Sequence, residues 1–303
     1  MTRLMKQIAS LAIALLVLGA ALPMPSTALA QDRFEPTRFS VEVSGEGDDI
    51  IFIPGLMTSR EVWRETAEDL EGYRVHLVQV RGFGEEAGPN AEGEVLAPVI
   101  AELARYIAEN DLQAPAIVGH SAGGLMAMTL AAQHPELPGR IMIVDALPWV
   151  AHIFVPPGAE PEMVAVLAQA QGMRAMMARG WNGELGPGAP DSTLRTQILD
   201  EENLPRLREL TGRTDQRVAA QLMYDVMASD MRQEIAAITV PVTVIVPLNP
   251  DFMSREHISA FYGAQYSALD GVFLVDIGPA GHFVMLDAPA PFTVAVQQFL
   301  ERD

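Results

Sequence analysis

The stretch that decides the fold reads Ala114-Pro115-Ala116-Ile117-Val118-Gly119-His120-Ser121-Ala122-Gly123-Gly124-Leu125-Met126-Ala127-Met128. A strand runs straight into Gly-x-Ser-x-Gly, and an apolar helical pattern follows at once. So sharp a strand-to-helix turn holds its central residue in a strained conformation and admits only small neighbours, here Gly119 and Gly123. The turn lifts the Ser121 hydroxyl clear of the backbone. It also sets that hydroxyl at a helix N-terminus, where free N–H groups favour developing negative charge. Ser121 is the candidate nucleophile.

A serine hydroxyl is a poor nucleophile until a base takes its proton. The chain offers six histidines: His76, His120, His134, His152, His257 and His282. His282 stands in Gly278-Pro279-Ala280-Gly281-His282-Phe283-Val284-Met285-Leu286-Asp287-Ala288-Pro289, between the last expected strand and the C-terminal helix. That puts it on the same edge of a parallel sheet as Ser121, where such sheets carry their sites. His76 falls inside an expected strand and reads as packing. His134 precedes Pro135 and reads as a helix cap. His120 adjoins the serine but is expected to point away from it. Nothing singles out His152 or His257.

Outward from these segments, short apolar runs alternate with helical patterns, which reads as an α/β protein with a mostly parallel sheet. Strands are expected at Ser40–Val43, Asp49–Ile53, Arg74–Val80, Ala114–Val118, Arg140–Val144, Val242–Val246 and Val272–Asp276. Helices are expected at about Arg60–Leu70, Glu92–Asn110, Ala122–Gln133, Glu256–Ala264 and Ala290–Leu300. The alternation breaks once, over residues 148–235. That stretch is rich in Met, Ala, Gln and Arg and holds no convincing strand, so it is expected to be a helical insertion capping the sheet. Residues 31–147 and 236–303 then form the core. The methionines of the insertion, among them Met163, Met173, Met176, Met223 and Met227, read chiefly as packing residues.

These residues resemble the α/β-hydrolase superfamily, and the resemblance covers nearly the whole chain after residue 30. Ile51-Phe52-Ile53-Pro54-Gly55-Leu56-Met57 is similar to the strand and oxyanion loop of that family, and Val80-Arg81-Gly82-Phe83-Gly84 to its Arg-Gly-Phe-Gly turn. Gly119–Gly124 and Gly281-His282-Phe283 complete the set. The resemblance implies a triad in the order serine, acid, histidine, with a lid inserted after the sixth strand of the family. It also implies an oxyanion hole formed by the backbone N–H groups of Leu56 and Ala122. Two departures stand out. Pro54-Gly55 replaces the usual His-Gly. The acid usually follows the seventh strand in a Gly-x-x-Asp segment, and here that segment reads Val246-Pro247-Leu248-Asn249-Pro250-Asp251. Asp251 is the acid expected from that position. Asp145, at the end of the preceding strand, and Asn249 remain alternatives. Asn249 could orient an imidazole but could not stabilise an imidazolium with charge.

With serine as nucleophile, the resemblance implies acyl transfer and not the aspartate chemistry of the family's dehalogenases and epoxide hydrolases. The expected activity is carboxylic-ester hydrolysis through an acyl-enzyme. A proline-type aminopeptidase, a lactonase, a cofactor-free haloperoxidase and a non-catalytic binding protein are the alternatives. No organic cofactor is expected and no metal: there is no His/Asp/Glu cluster at metal spacing and no dinucleotide glycine fingerprint.

Composition narrows the partners. The 303 residues carry a formal charge of −19, no cysteine and a single lysine, Lys6. Thiol chemistry is excluded, and so acidic a surface repels nucleic acid and anionic lipid. A small, neutral, partly apolar ester is the expected substrate. Residues 1–30 combine Arg3 and Lys6, a short apolar run from Ile8 to Leu22, and Ala28-Leu29-Ala30. They read as a secretory leader cut after Ala30, too short to span a bilayer as an anchor. Its loss would take two cations and no acid, leaving −21, no lysine, and a periplasmic or secreted protein.

Overall fold

The computed structural model describes residues 34–302, apart from positions 157 and 252. The expected leader lies outside the described residues. Seven strands form one sheet: β1 (Phe39–Gly45), β2 (Asp48–Ile53), β3 (Tyr73–Val80), β4 (Ala116–His120), β5 (Arg140–Val144), β6 (Val242–Pro247) and β7 (Phe273–Ile277). Their order is β1-β3-β2-β4-β5-β6-β7, with β1 antiparallel to β3 and every other pair parallel. All seven coincide with the strands read from the sequence, shifted by no more than two residues at an end.

The central strands are buried on both faces, which explains their unbroken apolar runs. Ile50 to Ile53 are all buried, as are Ala116 to His120. One face packs against α1 (Leu96–Glu109) and α2 (Ala122–Gln133). In α1 the buried Leu96, Val99, Ile100, Leu103 and Ile107 recur at the spacing of one helical face. In α2 ten of the twelve residues are buried, so this helix is apolar all round. The other face packs under Trp63 and Phe292, whose rings lie 6.0 Å apart. Trp63 also meets Phe52 at 5.2 Å. The helix expected over Arg60–Leu70 is in fact two short turns, 3-10 at Arg60–Trp63 and α at Arg64–Glu68, and the bend seats Trp63 in that core.

Residues 148–235 hold α3 (Met163–Ala178), α4 (Leu204–Thr211) and α5 (Gln216–Ala228), with shorter turns and no named strand among the described residues. This segment is bonded to the loops at the C-terminal edge of the sheet. Ser59 N–H donates to Leu210 O at 2.9 Å, Gly84 N–H to Arg213 O at 2.6 Å, and Asp215 N–H to Gly82 O at 2.7 Å. Beyond β6 the chain continues with α6 (Arg255–Gln265) and, after β7, α7 (Pro289–Glu301). No helix among the described residues is long and apolar enough to cross a membrane.

Asp225 of α5 ties the segment to the core in a further way. Its Oδ2 accepts the N–H groups of Val95 and Leu96 at 2.8 and 3.0 Å, capping α1, whose own N-cap side chain makes no such bond. Asp225→Ala therefore costs about 0.5–2 kcal/mol, the range for loss of a helix cap. A lower urea midpoint with an unchanged slope is the expected result.

Candidate active site

Ser121 follows β4 directly and precedes the first residue of α2, with φ 53° and ψ −120°. A residue with a Cβ enters this region only when its surroundings force it there. The forcing groups are visible. A Cβ on Gly119 would lie 2.2 Å from the carbonyl oxygen of Gly123, and one on Gly123 would lie 2.3 Å from that of Ile53. The strand and helix thus cross at a distance that only glycine permits, as the sequence pattern required. Gly55 is constrained too: a Cβ there would lie 2.9 Å from His120 Nδ1 and 3.0 Å from Ser121 Cβ. The Pro54-Gly55-Leu56 loop accordingly lies against the serine turn. Among the described residues neither the Leu56 nor the Ala122 N–H makes a hydrogen bond, and Ala122 opens α2, where N–H groups lack intrahelical partners.

His282 lies on the same edge. Its Nδ1–H donates to Asp145 Oδ2 at 2.6 Å. A carboxylate only accepts, so the tautomer follows: Nδ1 carries the proton and Nε2 is left as the basic nitrogen. Asp145 stands immediately after β5 with φ 45°, and its Oδ1 accepts a hydrogen bond from the hydroxyl of Tyr262 on α6. The expected pairing of His282 with Asp251 is not made. After β6 the side chain of Asn249 accepts the N–H of Asp251 at 3.0 Å, a local turn that leaves Asp251 exposed. Neither Asn249 nor Asp251 makes a described hydrogen bond to His282. Asp145, one strand nearer the serine, makes that contact instead.

His120 was expected to point away from the serine, and its ring is turned to the His282 loop. Its ring is fully buried, 4.5 Å from the His282 ring centroid, and its Nε2–H donates to the His282 carbonyl at 3.0 Å. The residue beside Ser121 thus holds the backbone of His282. Burial, reinforced by the adjacent His282, drives the His120 imidazole well below its ordinary 6.5 and keeps it neutral. His76, as read, is a packed residue: its Nε2 lies 2.8 Å from Asp49 and its Nδ1 2.7 Å from the Tyr106 hydroxyl.

The sequence reading also passed over Asp287. Its carboxylate accepts the N–H of Gly281 at 2.8 Å, that of Leu199 at 2.8 Å and the amide of Asn203 at 3.1 Å. Phe283 N–H donates to Gln197 O at 3.1 Å, so the histidine loop is stitched to residues 197–203 on both sides of His282. The signal was present: an acid five residues after the histidine and just before Ala288-Pro289. Two surface depressions of about 230 and 360 Å³ lie beside Glu61 and Arg206, and neither is lined by Ser121 or His282. Among the described residues no group of three or more His, Asp or Glu side chains is arranged to hold a metal ion.

With this geometry in view, comparison with known proteins is direct. A family model described as the alpha/beta hydrolase fold matches residues 49–289. The chain belongs to the α/β-hydrolase family. It is 23% identical over 271 residues to a pimeloyl-[acyl-carrier protein] methyl ester esterase of Yersinia enterocolitica, spanning 86% of this chain and 96% of that protein. The esterase of the same name from Vibrio cholerae is 31% identical over 108 residues, 35% of this chain and only 40% of that protein. Among solved structures, an esterase from Thermogutta terrifontis superposes with a TM-score of 0.71 at 18% identity, covering 89% of this chain and 98% of that one. The enol-lactonase of Burkholderia xenovorans LB400 gives 0.66 at 20% identity, covering 87% and 96%. At these identities the structural likenesses establish the shared fold.

The neutral His120 sets a pH dependence of stability. A histidine whose folded pKa lies below its unfolded value contributes stability that is complete above about 6.5 and is lost as the pH falls, because the unfolded chain then binds the extra proton. His76, lowered chiefly by burial, acts in the same direction. Urea midpoints should therefore fall between about pH 7.5 and about pH 5, and His120→Gln should flatten that slope without abolishing it.

Proposed function

We propose that the chain is a serine hydrolase acting on carboxylic esters, with Ser121 as nucleophile, His282 as base and Asp145 as the acid that orients it. The observation that carries this reading is the 2.6 Å bond from His282 Nδ1 to Asp145, which leaves Nε2 available on the edge where the strained Ser121 stands. A decayed, non-catalytic site has no need of a partly buried acid bonded to its histidine.

In the proposed reaction Ser121 Oγ attacks the ester carbonyl while its proton passes to His282 Nε2. The carbonyl electrons move onto oxygen, and the N–H groups of Leu56 and Ala122 receive the oxyanion. Collapse breaks the bond to the alkoxy oxygen, which leaves as the alcohol with the proton from His282. Water, deprotonated by the same nitrogen, then attacks the acyl carbon; the bond to Ser121 Oγ breaks, that oxygen takes the proton back from His282, and the acid is released. Asp145 keeps the imidazole in its tautomer and stabilises the imidazolium throughout.

The helical segment 148–235 is read as a cap that selects the acyl or alcohol group. Its bonds to the loops after β2 and β3 and to the histidine loop support that placement over the site. The names of the curated relatives support ester chemistry, and the net charge of −19 favours neutral esters. Residues 1–30 are proposed to direct export, with Gln31 as the mature N-terminus; mass analysis of the processed chain tests it.

A panel of p-nitrophenyl esters of rising chain length, with a lactone and a proline amide alongside, reads the activity. Ser121→Ala should lower turnover by about three orders of magnitude or more and abolish labelling by a fluorophosphonate, with the circular dichroism spectrum unchanged. Asp145→Asn should lower kcat by about 10³–10⁴-fold, whereas Asp251→Asn stays within a factor of about two. Turnover that survives in Ser121→Ala would sink the reading.

A further inference from the structure

The carboxylate of Asp145 has two oxygens, and they are divided between two elements. Oδ2 accepts from His282, and Oδ1 accepts from the Tyr262 hydroxyl. Tyr262 lies on α6 and Tyr266 is the residue that caps its C-terminus, its N–H donating to Tyr262 O at 3.0 Å, so the two stand one turn apart. The Tyr266 hydroxyl donates to the carbonyl of Ala146, the residue after the acid, at 2.7 Å. One helix thus grips the acid-bearing turn twice, once by its side chain and once by its backbone. That turn needs holding, because Asp145 sits at φ 45°, where a side chain is strained.

Rotation of a carboxylate about its last torsion is broad and weakly restrained. A donor fixed on Oδ1 removes that freedom and leaves Oδ2 aimed at Nδ1. The donor is also dependable. Both tyrosines are buried, and burial, with the charge of Asp145 adding to it, pushes the Tyr262 phenol well above its ordinary 10. It therefore stays protonated wherever the enzyme works. Among the described residues, the titratable groups facing Asp145 are His282 from the loop after β7, Tyr262 from α6 and Tyr266 from the cap of that helix.

We propose that Tyr262 is a positioning residue for catalysis, which locks the Asp145 carboxylate in the orientation that holds the His282 tautomer. The inference rests on the reading of Ser121, His282 and Asp145 as a hydrolytic triad. It assigns to α6, an element outside the serine, histidine and oxyanion segments, a direct part in setting the base. It also supplies a reason for the acid to stand after β5, where a second donor is in reach.

Tyr262→Phe removes one oxygen and keeps the packing. The expected result is a fall in kcat of about tenfold with KM nearly unchanged, the size of one lost hydrogen bond to a charged group. The acid limb of kcat/KM should move to higher pH. The phenol shares the negative charge of the carboxylate, so without it that charge bears more fully on the imidazolium across the Oδ2–Nδ1 bond. Tyr266→Phe removes a phenol from the same helix but not from the carboxylate, and should lower the melting temperature without moving the limb. In the unaltered protein, low-field proton resonances of His282 Nδ1–H and Tyr262 Oη–H should shift together on acidification. That measurement stands even if Tyr262→Phe folds poorly. A Tyr262→Phe enzyme with wild-type kcat and an unmoved acid limb overturns the inference alone, as do resonances that titrate independently. A wild-type protein without Ser121-dependent turnover overturns the triad reading, and this inference with it.

Discussion

The crossing of β4 over α2 at Ser121 is the constraint on which the rest of the site depends. Two glycines let a strand, a helix and the β2 loop meet at backbone contact, with Gly119 against Gly123 and Gly123 against Ile53. The resulting conformation of Ser121 costs on the order of 1–3 kcal/mol. Burial of Leu125, Met126, Met128 and Leu130 along α2 offsets this readily, since each apolar side chain contributes about 1.5–3 kcal/mol. The strain is therefore sustained by a helix that has nowhere else to go. A less apolar helix behind the serine would leave the turn free to relax and the hydroxyl free to sink.

From that crossing the arrangement spreads along the sheet edge. Ser121 N–H donates to Val144 O, and Asp145 N–H donates to Ile245 O, so successive strand ends are tied to one another by main-chain bonds. His120 extends the connection sideways to the His282 carbonyl, and its low proton affinity keeps a second positive charge away from the base. Ser121, His282 and Asp145 stand on three different loops, and the sheet fixes the distances between them.

The strands were legible because burial on both faces leaves uninterrupted runs such as Ile50-Ile51-Phe52-Ile53, and the serine turn because its glycines are sterically obligatory. The acid was harder to read. Position along the chain pointed to the segment after β6, but Asn249-Pro250 opens a turn there, a signal that a reading by position passes over. Asp145 follows β5 in a position that reads equally well as an ordinary strand-end acid, and its partner His282 lies 137 residues away. The same is true of Tyr262, 117 residues from the carboxylate it meets. Contacts of this range are set by sheet order, which alternation of apolar runs does not reveal. The short-helix break at Trp63 escaped for a related reason: its cause is the Phe52 and Phe292 rings across the core, not the residues beside it.

Asp287 carries a consequence for how variation in this chain can be tolerated. By accepting bonds from Gly281 and from residues of the 199–203 stretch, it makes the histidine loop and one margin of the helical segment a single mechanical piece. A sequence change near Leu199 is then transmitted to the imidazole as directly as a change in the loop that bears it. The segment that has most freedom to vary is the far one, α3, where Val164 is 82% exposed and only Val166 and Ala170 are buried. Substitutions can accumulate there while the margin fastened by Asp287 keeps the His282 loop in place.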